Sequence, residues 1–206
     1  NFMLADGRDA LKCVVGMTQD HWESTRMGEY QVFTTAYPEL KSIPSIGGFH
    51  DDILNSEKII ALKPDAMIIN RTQFAANTQR IEVFERAGIR VIVTDYHAMK
   101  LENHVLSTRI IGRMLGRDTV AEELCRKAID GLKDVDARVA RASAGKKAPK
   151  VYMELGSKGV GNYGNTYNST ILWGAMLARA GADSISANNR EPYSAATREY
   201  VISQNP

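Results

Sequence analysis

Between Ile46 and Asn70 the sequence calls for three kinds of structure in quick succession. Gly47-Gly48 breaks regular structure. Asn55 or Ser56 caps a helix, and Glu57 then stands in its first turn, where a carboxylate suits the helix dipole. Ile59, Ile60 and Leu62 supply an apolar face. Lys63-Pro64 ends the helix, because proline lacks an amide hydrogen and its ring blocks a further turn. Ala66-Met-Ile-Ile69 is a short apolar run, which fits a strand covered on both faces. Loop, helix and buried strand at this spacing point to a helix packed on a parallel sheet.

The same grammar returns at the far end. Glu57-Lys-Ile-Ile-Ala-Leu-Lys-Pro64 and Glu199-Tyr-Val-Ile-Ser-Gln-Asn-Pro206 share the glutamate, a β-branched pair at one offset and the proline at another. After Pro64 the chain enters a strand. The repeat predicts two similar lobes, the second ending just before its corresponding strand.

The segments between support an alternating fold. Residues 1–5 and Val14-Val-Gly-Met17 read as strands, Asp9 to Cys13 as a short helical stretch and Gly28 to Tyr37 as a helix. Arg71 to Asn77 reads as a loop at the end of the 66–69 strand. Thr78 to Ala87 is a helix with Ile81 and Phe84 on one face, and Gly88 stops it. Arg90-Val-Ile-Val-Thr94 is the next strand, and Asp95 to Ala98 its exit loop. This strand–helix alternation predicts a parallel α/β sheet.

Two helices follow. Leu101 to Leu115 carries Val105, Leu106, Ile110 and Met114 on a face. The next runs from about Thr119 to Ala142, with Leu124, Ala128, Leu132, Val135 and Val139 at helical spacing. At 1.5 Å per residue it spans roughly 36 Å, enough to bridge two lobes. Lys150-Val-Tyr-Met-Glu-Leu155 resumes the alternation as a strand, Gly156 to Ser169 reads as a loop, and Thr170 to Ala180 is a helix with Leu172, Trp173, Met176 and Leu177 inward. The expected organisation is an N-terminal α/β lobe (1–100), a helical connection (101–149) containing the long helix 119–142, and the start of a second α/β lobe (150–206).

Charge narrows the function. The net charge is +2 with the signs mixed along the chain, which gives no electrostatic case for nucleic acid. No apolar run approaches the roughly 18–20 residues of a membrane span. The chain opens on Asn1-Phe-Met-Leu4, which reads as the middle of a strand and as a trimmed or processed start. Cys13 and Cys125 have no metal-ligand spacing and read as buried small apolar residues.

Loops that follow strands gather at one edge of a parallel sheet, where ligands bind. Three of the four histidines, His21, His50 and His97, fall in loops of this kind, and His104 reads as a surface residue of a helix. His50-Asp51-Asp52 offers imidazole and carboxylate ligands, but in no strong metal motif; helix capping explains it as well. Gly159-Val-Gly-Asn-Tyr-Gly164 matches a dinucleotide fingerprint with Asp183 downstream, yet the pattern starts several residues past its strand. No serine elbow and no cysteine–histidine pair is present. The loops are instead rich in rings and amides, including Trp22, Phe49, Asn70, Tyr96, Tyr163 and Tyr193. Aromatic walls with a few polar anchors suit a bulky ligand, and Arg71 suits an acidic one.

Ile43-Pro-Ser-Ile-Gly-Gly48, Asn55-Ser-Glu-Lys-Ile-Ile-Ala-Leu-Lys-Pro-Asp65, Ala87-Gly-Ile-Arg-Val91 and Ala180-Gly-Ala-Asp183 together resemble the extracytoplasmic substrate-binding proteins of ABC importers for iron chelates, haem and cobalamin. The resemblance runs nearly end to end. It implies two parallel-sheet lobes joined by one long helix, with the second incomplete in this chain. It implies no catalysis and no resident cofactor. The ligand is expected to be a ferric siderophore, or haem or cobalamin, held by the loops at His21, Trp22, Phe49, His50, Asn70, Arg71, Tyr163 and Tyr193. Glu57 and Glu199 match the paired glutamates that dock on a dimeric membrane permease. The free protein is expected to be a monomer outside the cytoplasm, in a periplasm or anchored by lipid. The competing expectations are an α/β enzyme using a dinucleotide or a metal ion, and a bare metal-ion receptor with His21, His50 or His97 as ligands.

Overall fold

A computed structural model describes residues 6–24, 26–48, 54–96, 98, 100–156 and 164–206, without the side chains of His21 and Leu172. The chain divides into two compact units. The first is Asn1–Asp95 with Ser107–Glu122, and the second is Tyr96–Leu106 with Glu123–Pro206.

The first unit begins with a 3-10 turn at Gly7–Cys13, then the helices α1 (Asp20–Ser24) and α2 (Met27–Ala36). The expected strand at Val14–Met17 is reduced to one parallel bridge, Met17 to Ser45. Val15 in that segment is exposed, so the apolar run has no second face to bury. The strand expected at residues 1–5 lies outside the described residues.

The stretch from Ile46 to Asn70 behaves as its residues dictate. Helix α3 (Ser56–Leu62) starts where the Asn55 carboxamide accepts from the Lys58 amide at 3.0 Å. It ends on Lys63 in the left-handed conformation, φ 48° and ψ 51°. Strand β1 (Ala66–Asn70) then pairs in parallel with β2 (Arg90–Thr94) in unbroken register from Ala66–Arg90 to Asn70–Thr94. The core gathers around this pair. Leu54, Ile59, Met67, Ile69, Ile81, Phe84 and Ile89 form one buried cluster.

Residues 71–77 are not the loop that their sequence suggested. Arg71–Ala76 is a helix, α4, opened by a reciprocal cap in which Asn70 accepts from the Gln73 amide and Gln73 accepts from the Asn70 amide. Helix α5 (Thr78–Arg86) follows directly and places Ile81 and Phe84 in the core.

Helix α6 (Leu101–Met114) turns back at Gly116 into α7 (Asp118–Ser143). At Gly112 the two helices approach so closely that a side chain there would collide with Ala121. Helix α7 has 26 residues, about 39 Å. It starts in the first unit and continues through the second. Leu124 is half-covered, and beyond Cys125 none of its residues is buried: Leu132 and Val139 are half-covered, and Ala128 and Val135 are exposed.

The second unit holds short strands. Only Lys150–Val151 of the expected 150–155 strand is paired, as β3, in parallel with β5 (Asp183–Ser184). Within the expected 156–169 loop lies β4 (Asn165–Tyr167), antiparallel to β6 (Tyr193–Ala195). Between β4 and β5 runs α8 (Leu172–Arg179), tied to α7 by a two-point pair of Arg179 with Asp136. Trp173 of α8 was expected to face inward. It is 52% exposed, and Met176 is exposed beside it. The unit ends in α9 (Arg198–Gln204). Of the two cysteines, Cys125 is buried as expected, whereas Cys13 is exposed.

Candidate functional site

In the first unit the ends of the paired strands carry the site. Parallel register puts Asn70 beside Thr94, so the residues that follow, Arg71 and Asp95, leave the sheet together. Their charges meet at 3.6 Å. The Arg71 side chain is 74% exposed, so water screens this pair and the guanidinium keeps donors facing outward. The Asn70 side-chain oxygen is engaged in capping α4.

The second cluster is aromatic. Trp22 on α1 stacks on Phe33 of α2, with centroids 5.4 Å apart and planes 15° from parallel. Just ahead of α1, the buried Gln19 amide donates to the backbone carbonyls of Leu40 and Ile43. It thereby fastens the segment that carries His21 and Trp22 to the connector after α2.

The second unit supplies another aromatic pair. Cross-strand register sets Tyr167 of β4 opposite Tyr193 of β6, with ring centroids 5.3 Å apart. Tyr167 is buried and Tyr193 exposed. Burial first, and then the neighbouring Tyr193, push the Tyr167 phenol above its ordinary pKa. Asn168 fixes the turn beyond β4. Its amide donates to the Asn189 carbonyl, and its oxygen accepts from the Thr170 amide and hydroxyl.

The structure thus brings Asn70 and Arg71 together with Asp95, Trp22 with Phe33, and Tyr193 with Tyr167. Phe49, His50, Tyr163 and His97 lie outside the described residues, as does the His21 side chain. No group of three or more metal-ligating side chains occurs among the described residues. His104 is not the plain surface residue expected. Its ring is half-buried, bonds to the Tyr96 carbonyl at 2.8 Å and meets the Tyr96 ring edge-on.

The dinucleotide expectation meets a physical obstacle at its last glycine. Gly164 opens into strand β4, whereas a pyrophosphate cradle needs its glycines to open into a helix. Gly164 has φ +94°, and a side chain there would strike the Ala196 carbonyl. Pairing with the chain before α9 accounts for the glycine.

The two acid-bearing helices are near copies. Glu57 is the second residue of α3 and Glu199 the second residue of α9; both are exposed. Thr197 caps α9 by accepting from the Tyr200 amide at 3.1 Å, as Asn55 caps α3. Asn205 ends α9 at φ 47° and ψ 61°, as Lys63 ends α3. Lys63 and Asn205 are the two positive-φ residues other than glycine among the described residues. A conformation this uncommon at the same place in both segments turns a four-residue sequence match into a structural repeat.

Three buried amides, Gln19, Gln73 and Asn77, escaped the sequence reading. One signal was present: Asn70-x-x-Gln73 has the spacing of a reciprocal helix cap. Gln19 and Asn77 bond to backbone groups distant in sequence or across a turn, which no local pattern announces.

A periplasmic binding protein family model matches residues 25–206. The uncharacterized ABC transporter substrate-binding lipoprotein YvrC of Bacillus subtilis is 27% identical over 120 residues, 58% of this chain and 37% of that protein. The TroA-like periplasmic binding protein FepB of Veillonella parvula superposes with a TM-score of 0.87 at 32% identity, over 100% of this chain and 58% of that one. A periplasmic heme-binding protein of Pseudomonas aeruginosa superposes with a TM-score of 0.67 at 22% identity, over 100% of this chain and 65% of that one; this likeness concerns the fold. The chain therefore spans between a third and two thirds of the length of these relatives. With the family model covering most of its length, the chain belongs to the periplasmic binding protein family, an extracytoplasmic one.

Proposed function

We propose that the protein is the substrate-binding component of an ABC importer, which captures an iron–siderophore or similar metal chelate and delivers it to the membrane permease. The observation that carries this reading is the repeated helix. Each unit presents one exposed glutamate, Glu57 or Glu199, at the same position of a helix with the same ends. A permease built from two subunits offers two equivalent contact points, and an acid on each unit suits a basic residue on each subunit.

The ligand class follows from the exposed chemistry. Stacked and paired rings at Trp22–Phe33 and Tyr167–Tyr193 suit a large flat or ring-bearing ligand. The outward donors of Arg71 suit its negative charge. In this reading His21, Trp22, Phe49, His50, Asn70, Arg71, Tyr163 and Tyr193 contact the ligand. The metal arrives as cargo inside the chelate, so the protein needs no cofactor of its own, and it performs no chemistry on the ligand. The free protein is a monomer, and its partner is the permease dimer.

The test is the pair of charge reversals Glu57→Arg and Glu199→Arg, made together in the full-length protein. Uptake of the chelate should stop while its affinity for the purified protein stays unchanged. Normal uptake by the double variant would remove the docking role.

A further inference from the structure

The two strand ends that carry Asp95 and Arg71 hold their charges differently. The ladder of β1 and β2 stops at Asn70 and Thr94, so the Asp95 amide lies past its last pair. The Ser107 hydroxyl of α6 accepts from that amide at 2.9 Å, and Ser107 is buried. The backbone of Asp95 is thereby fastened to a helix. Its side chain is 16% exposed, against 74% for Arg71. The acid is held under cover, and the base 3.6 Å from it stands in water.

Fastening the strand end does not require an acid at this position. Ser107 bonds to a backbone amide, which every residue but proline supplies. Nor does the pair add much stability, because water screens it and a long side chain loses freedom in making it. Its effect on charge is larger. One carboxylate beside one guanidinium leaves the pair with no net charge, while the exposed guanidinium keeps several N–H donors. Arg71 alone would attract an anion in proportion to its charge. Paired with Asp95, it still bonds acceptor oxygens at short range, but the opposite charges cancel over longer distances.

We infer that Asp95 is a specificity-determining residue of this edge. By cancelling the charge of Arg71, it favours a metal chelate with exposed acceptor oxygens and little net charge over a polyanionic one. An iron tris-hydroxamate is neutral and an iron tris-catecholate is a trianion, so the hydroxamate class fits the pair. The inference rests on the receptor reading above and names the ligand's charge class within it.

The variant that isolates the charge is Asp95→Asn in the full-length protein. Asparagine keeps the size of the side chain and the backbone bond to Ser107, and removes the negative charge. Asp95→Ser removes the same charge with a smaller side chain, which separates charge from packing. Calorimetric titrations use ferrichrome and cyanocobalamin as neutral probes and ferric enterobactin and hemin as anionic ones, at low and at high salt.

We expect the wild type to bind a neutral probe more tightly than either anionic one. Both variants should bind an anionic probe at least about fivefold more tightly than the wild type does, with affinity for the neutral probes changed by less than about twofold. The gain should shrink as salt is raised. Adding Arg71→Gln should erase it. No gain for the anionic probes, or an equal gain for all probes, would overturn the role of Asp95. A gain that survives Arg71→Gln would overturn Arg71 as its route. A wild type that prefers an anionic probe would overturn the charge class. If neither the wild type nor the variants bind any probe, the receptor reading fails and takes this inference with it; binding without the expected change at Asp95 overturns the inference alone.

Discussion

Helices α3 and α9 share their caps, their acid and their left-handed ends, yet their surroundings differ. Ile59 of α3 is 2% exposed and belongs to the core cluster beneath β1. The residue after its counterpart in α9, Ile202, is 77% exposed. Val201 and Ile202 line an apolar cavity of about 360 Å³ shared with Tyr152, Glu154, Gly164, Ala196 and Arg198. One helix is therefore covered by a strand, and the other borders an open cavity. The difference teaches that the ends of these helices specify them locally, through one capping side chain and one left-handed residue. Burial is a separate contribution: α3 places Ile59 in the core cluster, and no residue of α9 is fully buried by the described residues.

The largest effect should separate the two by burial. Ile59→Ala leaves a cavity in the core and should cost about 2–5 kcal/mol in chemical denaturation. Ile202→Ala removes exposed atoms and should stay within about 0.5 kcal/mol. Equal costs would break the comparison.

A smaller effect should expose what the helix ends share. Lys63→Gly relieves a left-handed conformation unfavourable to lysine and should stabilise the first unit by about 0.5–1 kcal/mol. Asn205→Gly should gain less, because asparagine tolerates this conformation. A loss of stability at either site would show that the side chain contributes more than its backbone strain costs.

The smallest effect concerns the cavity beside α9. Burial, followed by the Glu154 carboxylate 3.0 Å away, raises the Tyr152 phenol to about 12. A raised folded-state pKa favours the protonated phenol. Its contribution is therefore complete below the ordinary value near 10 and is lost as pH rises towards 12. Tyr152→Phe should flatten this alkaline decline, measured as the change in denaturation midpoint from pH 9 to about 12.

How much of this was legible in the sequence depended on the range of the forces involved. Helix α3 and strand β1 were readable from Asn55, Glu57, Pro64 and the run at 66–69, because caps, proline and burial on both faces each leave a local mark. The long helix α7 was readable from its spacing. Helix α4 was missed although Asn70 and Gln73 carry its cap, because six residues offer too little apolar periodicity. Strands β4 and β6 were illegible for another reason. Three residues pair across a long separation, and neither segment needs an apolar pattern to do so. Trp173 shows a further limit: periodicity names the apolar face of α8 but not whether anything lies against it. For the candidate site, the sequence indicated Arg71 and Trp22 by type and position. Asp95, Phe33 and the buried amides Gln19 and Asn77 became visible only once the chain had folded.

The central claim is that these loops receive a metal chelate, and Trp22 provides the most direct test. The full-length protein should be titrated with ferric hydroxamate, catecholate and carboxylate siderophores, haem, cobalamin, bare metal ions and NAD, following tryptophan emission. The account predicts saturable quenching by one chelate at sub-micromolar concentration, lost in Trp22→Phe and retained in Trp173→Phe. A response to NAD alone, or silence across every chelate, would contradict it.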